Sequence, residues 1–268
     1  MGNRFLVLLI ALSLAVCVGA APAPAKKKRL GPCARLIPVL CYHEIAPTAT
    51  VPLTTPVKDF EQHMAYLKKE GYTPVCLEDA RRFMWGAKQL PGKPILITFD
   101  DGYAGVYNYA LPILKQYNYP ASLFLVVGHV GQEKPLRHIT WEQCAKLKES
   151  GLFEFGSHTW DLHCFIRERL NEGGVYPDQV VKDLRKSRQV IKEKLGVDAI
   201  AFAWPYGRYD DRCIQLAAKA GFTMQFTIDF GATQRKEGTL RIKRYNMQVD
   251  DNPITTFRSR LRMCSSRA

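Results

Sequence analysis

Residues 94–103 read PILITFDDGY, a short apolar run that stops on two adjacent carboxylates and a glycine. Ile95, Leu96, Ile97 and Phe99 are β-branched or bulky and lie between Gly-Lys-Pro and Asp-Asp-Gly, which predicts a buried strand over Pro94 to Asp100. Side chains alternate along a strand, yet at its end two consecutive aspartates can turn toward one cleft where Gly102 lets the backbone bend. Asp100 and Asp101 in such a place suggest one metal ligand and one base. A plain Asp-Gly turn without chemistry is the competing reading, because that dipeptide is a common turn signal. The deciding question is whether the rest of the chain supplies the missing ligands.

Outward from this run, apolar strand-like segments alternate with amphipathic ones. Upstream, Ile37 to Ile45 (IPVLCYHEI) reads as a strand, Phe60 to Lys69 as a helix ended by Gly71, Tyr72 to Leu77 as a strand and Glu78 to Gly86 as a helix. Downstream come a helix from Val106 to Tyr117, a strand from Ala121 to Gly128, a helix from Thr140 to Ser150 capped by Thr140, and a strand from Phe153 to Ser157. Gln179 to Leu195 reads as a long charged helix, Ala199 to Trp204 as a strand, Asp210 to Ala220 as a helix and Phe222 to Phe230 as a strand. Leu240 to Met247 is the last strand, before a C-terminal helix. This alternation predicts an α/β fold with a parallel sheet, and so many repeats suit a (β/α) barrel better than an open doubly wound sheet. No GxGxxG fingerprint or P-loop favours a nucleotide fold. In a barrel the chemistry gathers at the C-terminal ends of the strands, where each polar cluster of this sequence falls.

One such cluster is GSHTWDLH, Gly156 to His163, directly after the strand ending FEF. On a helix, residues five apart point about 140° away from each other, so His158 and His163 belong on a loop that curls around an ion. With Asp101 they make a two-His, one-carboxylate set that leaves coordination positions open, as a hydrolytic metal requires. FAWPYGRY, Phe202 to Tyr209, follows another strand; it reads either as a turn with core aromatics or as a sugar platform made by Trp204 and Tyr206. A turn held by Pro205 can also aim a backbone N–H at a developing oxyanion. Tyr42-His43-Glu44 ends the first strand, which places His43 near the same mouth. His63 on a helix, and His129 and His138 in a polar loop, read as surface residues.

With 268 residues, 47% hydrophobic and 24% charged, the chain can bury a full core without needing a second one. Phe5 to Val18, FLVLLIALSLAVCV, is too short to cross a bilayer comfortably and leads into small residues, which predicts a signal peptide over 1–20, cleaved after Ala20. Lipidation at Cys17 is the alternative, disfavoured by the bulky Val16 before it. Residues 21–36 then read as a Pro/Ala linker with a solvated basic run from Lys26 to Arg29, and 37–268 as one catalytic domain with no transmembrane segment. An exported protein, periplasmic, extracellular or held at the envelope, follows. The formal net charge of +13 suits an anionic envelope surface better than nucleic acid, for which no groove-reading or stacking motif is present. Of eight cysteines none forms a CxxC pair; Cys33 and Cys264 are candidates for a disulfide, while Cys41 and Cys76 read as small core residues.

Together and in this order, TFDDGY, SHTWDLH and WPYG resemble the polysaccharide deacetylases of carbohydrate esterase family 4, whose shared unit is the NodB homology domain. CYHEI, placed ahead of them, is similar to the poly-β-1,6-N-acetylglucosamine deacetylase branch, and the likeness runs from about Pro38 to Met247. The resemblance implies a distorted (β/α)7-type barrel and removal of N-acetyl groups from an extracellular N-acetylglucosamine polymer. It implies that Asp101, His158 and His163 hold a divalent metal, with Zn²⁺ favoured over Co²⁺, Ni²⁺ or Fe²⁺. Asp100 would be the base, His43 the acid, the Tyr206 N–H an oxyanion donor, and Arg244 in KRYN the group that orients Asp100. Tyr103 joins Trp204 and Tyr206 as a candidate substrate contact. Larger members of that branch carry a further glycoside hydrolase or polymer-binding domain that this chain does not show, so polymer capture is expected to be shallow or delegated to an envelope or export partner. Chitin oligomers or peptidoglycan are alternative substrates, and a non-catalytic glycan-binding accessory protein is the reading from another class.

Overall fold

The computed structural model describes residues 34–49, 51–90, 92–133, 135–163, 177–247 and 253–265. In chain order the elements are strands β1 (Leu36–Ile37), β2 (Val39–Tyr42), β3 (Glu44–Ala46) and β4 (Thr54–Pro56), helix α1 (Val57–Lys69), β5 (Tyr72–Pro74), α2 (Leu77–Met84) and β6 (Lys93–Phe99). A π-helical turn (Val106–Ala110) runs into α3 (Leu111–Tyr117), and β7 (Ala121–Leu125), α4 (Trp141–Glu149), β8 (Phe153–Ser157) and α5 (Pro177–Leu195) follow. The chain then forms β9 (Ala201–Ala203), α6 (Asp211–Lys219), β10 (Met224–Phe226), β11 (Thr233–Gln234), β12 (Tyr245–Asn246) and α7 (Pro253–Ser265).

The apolar run is the centre of the sheet. Its order is β10-β9-β8-β7-β6-β2-β12, with β5 pairing β6 off this path, and every neighbouring pair is parallel. The two ends of the path meet at a parallel bridge between Phe226 and Ile242, where the Ile242 N–H donates to Gln225 O and the Thr227 N–H to Ile242 O, both at 2.9 Å. One bridge closing the ring is what makes this a distorted (β/α)7 barrel instead of an open sheet.

Strand alternation sorts the core. Leu40 and Tyr42 of β2, and Ile95, Ile97 and Phe99 of β6, pack outward under the helices. Val39, Leu96, Phe124, Ala203 and Phe226 fill the inside. Each fully buried side chain of this kind contributes roughly 2 kcal/mol by leaving water. Two and four residues further along the same inward faces are Cys41 and His43 on one strand and Thr98 and Asp100 on the next, so the barrel interior turns from apolar to polar toward its C-terminal mouth. Helix α4 starts at the Thr140 cap that the sequence predicts, and Gln143 completes it as a capping box.

The predicted single strand over 37–45 is three pieces. Pro38 has no N–H for the ladder, and its carbonyl instead accepts Leu96 N–H at 3.0 Å. At His43 the chain leaves the ring, and Glu44–Ala46 pairs with β4. Leu240 to Met247 keeps only a two-residue strand, and β11 folds back antiparallel on β1. Cys17, Cys33, Cys164, the predicted leader and its basic run lie outside the described residues, as does the Cys264 side chain. Among the described residues Cys41, Cys76, Cys144 and Cys213 are free thiols, and no helix is long and apolar enough to cross a membrane.

Candidate active site

At the mouth, β6 delivers Asp100 on its inward face, 2% exposed. Arg244, completely buried, grips it with both guanidinium arms: Nη1 to Oδ1 and Nη2 to Oδ2, each 2.7 Å. The Arg244 Nε donates to Thr227 O at 2.8 Å, and the guanidinium lies 5.9 Å from the ring centroids of Phe124 and Phe226, so the fork is fixed from below. Burial, the largest single influence, would raise the Asp100 pKa, but the charge and hydrogen bonds of Arg244 together with His158 and His43 outweigh it and the carboxyl stays below its ordinary value. Asp100 is therefore an ionised acceptor with a locked orientation. The Cys41 thiol, pushed up in pKa by burial, donates to Asp100 Oδ2 at 3.5 Å.

The bend predicted at Gly102 begins one residue earlier. Asp101 itself takes φ 69° and Gly102 φ 81°, and a Cβ on Gly102 would meet Leu125 Cδ2 at 2.8 Å. A left-handed residue breaks the strand's alternation, which is how two consecutive aspartates come to serve one cleft. His158, just beyond β8, donates Nδ1–H to Ala203 O at 2.8 Å, which leaves its Nε2 as a lone pair. That Nε2 and the Nε2 of His163 face Asp101 Oδ1 at 3.3 and 3.2 Å. Asp101 Oδ1 is buried without a conventional hydrogen-bond donor. Acceptors gathered this closely repel unless a cation or proton lies among them, so the donor set fits a divalent metal, and Asp101, His158 and His163 could hold one. Burial opposes charge on both partners, but the two imidazoles beside it take the Asp101 pKa well below its usual range, and the Asp100 and Asp101 charges bring that of His158 above its own.

Strain gathers at the same place. Of the non-glycine residues with positive φ among those described, Asp101 (69°), Thr159 (85°) and Tyr206 (54°) all flank this site. Such conformations cost about 1–3 kcal/mol each and persist where surrounding structure imposes them.

The remaining candidates separate. His43 is 9% exposed with Nδ1 buried and unpartnered, and burial holds its pKa below the ordinary value against the pull of Asp101 and Asp100. Tyr206 is 42% exposed, with its ring centroid 4.9 Å from that of His163. Tyr103 turns toward Asp101; burial first, and then that carboxylate, raise its pKa. Trp204 corrects the sugar-platform expectation. It is 1% exposed, donates Nε1–H to Gln225 Oε1 at 3.1 Å and meets Phe202 edge-on, so it offers no face to a ligand. The surface assignment of His63 and His138 is likewise corrected: His63 is buried, stacks on Phe257 at 4.0 Å and bonds Tyr42 Oη at 3.0 Å, while His138 is buried against Tyr103. Sequence reasoning passed over Glu44, a buried carboxyl that burial raises to about 7 despite hydrogen bonds from the backbone of Gly105 and Ile45. Its only signal is its place beside His43 in CYHEI.

Residues 87–225 match the family description Polysaccharide deacetylase. A Bacillus subtilis (strain 168) protein described as a polysaccharide deacetylase is 30% identical over 208 residues, 78% of this chain and 70% of its own length. The poly-beta-1,6-N-acetyl-D-glucosamine N-deacetylase of Escherichia coli K12 is 29% identical over 202 residues, covering 63% of this chain but only 30% of the E. coli protein. Among solved structures, IcaB from Ammonifex degensii is similar with a TM-score of 0.77 at 27% identity, covering 85% of this chain and 98% of that one.

Proposed function

The chain belongs to the polysaccharide deacetylase family, and from that membership and the geometry at the barrel mouth we propose that it is an exported, metal-dependent hydrolase that removes N-acetyl groups from an N-acetylglucosamine polymer, with poly-β-1,6-N-acetylglucosamine the favoured substrate. The observation that carries the reading is the convergence of His158 and His163 on Asp101 Oδ1 beside an Asp100 clamped by Arg244. The E. coli relative, whose name gives that polymer, supports the choice of substrate. The apolar leader at 5–18 and the +13 charge support export to the envelope, where an export or envelope partner would help present the polymer.

Asp101, His158 and His163 would hold the ion, with Zn²⁺ the best match to two imidazoles and a carboxylate. When bound, such an ion polarises a carbonyl and lowers the pKa of water. Asp100 accepts the proton of the attacking water; Arg244 keeps it ionised and aimed, so it acts through position more than basicity. His43, neutral at rest because it is buried, does not begin as the charged acid. A ring nitrogen of His43 lies within 4.8 Å of an Asp100 oxygen, a span that one water bridges, so His43 is placed to give a proton to the departing amine and to recover through that water the one Asp100 has taken. The Tyr206 backbone N–H would stabilise the tetrahedral oxyanion, a role whose loss typically costs ~3 kcal/mol. Tyr206 and Tyr103 would touch the sugar.

Acetate release from defined oligomers tests this. The metal-stripped chain should be inactive on β-1,6-linked N-acetylglucosamine oligomers and regain activity with Zn²⁺ or Co²⁺. Faster release from chitin oligomers or peptidoglycan fragments would move the substrate assignment to those glycans. No release from any of them, with glycan binding retained, would make the protein an accessory binder.

A further inference from the structure

Outside the Asp101 set, one other group of side chains has metal-ligand geometry among the described residues: Cys41, His43 and Asp100, whose donor atoms all lie within 4.8 Å of one another. Its origin is the register of two parallel strands. Tyr42 pairs with Phe99, and the Asp100 N–H donates to Tyr42 O at 2.9 Å, which brings the end of β6 alongside His43. Cys41 and His43 are two apart and face the same way. All three are buried, at 0%, 9% and 2% exposure.

Two observations go beyond proximity. Cys41 Sγ and Asp100 Oδ2 are 3.5 Å apart. A thiolate sulfur and a carboxylate oxygen on one tetrahedral zinc lie about that far from each other, given bonds of about 2.3 and 2.0 Å. His43 Nδ1 is buried with no partner, so the imidazole has a ring nitrogen that nothing else satisfies. Sulfur, nitrogen and oxygen donors suit Zn²⁺ or Cd²⁺ and not Mg²⁺ or Ca²⁺. Arg244 opposes a cation here by occupying Asp100. The Cys41 proton therefore leaves for solvent as an ion enters, and thiolate, carboxylate and guanidinium together then present one net negative charge to it.

We propose that Cys41, His43 and Asp100 form a second, inhibitory site for a thiophilic divalent cation. An ion held there ties up the carboxylate and the imidazole through which protons pass, so excess Zn²⁺ or Cd²⁺ stops turnover. The inhibition rests on the function proposed above; the binding does not.

The test is titration of the metal-stripped full chain, thiols reduced, with Cd²⁺ while following ultraviolet thiolate-to-cadmium charge-transfer absorption and bound metal by equilibrium dialysis. The Asp101 set has no sulfur, so a band reports thiolate coordination. The band should appear in the parent chain and in Cys76→Ser, and vanish in both Cys41→Ser and His43→Ala with loss of one bound equivalent, circular dichroism being unchanged. A band or stoichiometry that persists in either Cys41→Ser or His43→Ala comes from other thiols and overturns the site; should one variant not fold, the other decides. In a parallel assay, Zn²⁺ beyond the activating amount should inhibit the parent chain but not Cys41→Ser relative to that variant's own maximum. Absence of acetate release in every sample would sink the proposed function while the absorption result still decides the site.

Discussion

Asp100 has an acid's charge in a place where charge is costly, and its two-armed contact with Arg244 is what makes that tolerable. Removing one partner strands the other in the barrel interior. Asp100→Asn should therefore lower unfolding stability by about 3–5 kcal/mol in a urea titration. It should also cut acetate release by roughly a hundred- to ten-thousandfold, the usual worth of a general base. The same variant should still bind one metal equivalent, because Asp101, His158 and His163 are untouched. Full activity in Asp100→Asn would remove the base assignment. Arg244→Lys keeps the charge but loses the fork, and its kcat should fall with little change in bound metal. The carboxylates were legible in FDDGY because their position at a strand's end is a local pattern. That Asp101, and not only Gly102, takes the left-handed conformation was not, since Asp tolerates positive φ without requiring it.

At the scale of elements, β3 is pinned to the π-helical turn that follows the Asp-Asp-Gly bend. Glu44 makes the connection: it accepts hydrogen bonds from the backbone of Gly105 and Ile45, and a Cβ on Gly105 would lie 1.9 Å from Glu44 Oε1. Burial raises the Glu44 pKa from its ordinary 4.5 to about 7. A group whose folded pKa is raised contributes stability that is fully present below the unfolded value of 4.5 and is lost as pH climbs through about 7. Between pH 5 and 8 this group should cost the parent chain on the order of 3 kcal/mol. Glu44→Gln stays uncharged, so its urea stability, measured against the parent at both pH values, should gain at pH 8 relative to pH 5. Equal pH dependence in the two chains would show that Glu44 ionises freely. The helix boundaries were close to those read from caps and glycines, as at Thr140, and the strands at 93–99 and 153–157 kept their predicted lengths, whereas the other strands were shorter than predicted. Strand length depends on where a partner's ladder ends, as at Pro38 and His43, and that partner is far away in sequence.

For the molecule as a whole, the ring closes at the seam between Phe226 and Ile242, held by one bridge. Arg244 follows Ile242 by two residues, so the seam also positions the clamp on Asp100. Ile242→Ala opens a cavity in the inner core and should destabilise the chain by about 2–5 kcal/mol, read from a urea titration. It should lower kcat more than KM, because Tyr206 and Tyr103, proposed to touch the sugar, are untouched; a loss of stability with unchanged kcat would show that Arg244 is placed independently of the seam. By itself the sequence determined the barrel class, the strand that ends in carboxylates and the loop that carries His158 and His163. Those follow from short-range patterns of apolar alternation, glycines and caps. Only the tertiary structure decided which side chains are inside: His63 and His138 are buried although their local sequence reads as exposed, Trp204 is buried where the sequence left a core aromatic and a sugar platform both open, and Phe230 is 58% exposed at the end of a run that reads as strand. Burial is set by what packs against a residue from distant elements, and no window of neighbouring residues contains that information.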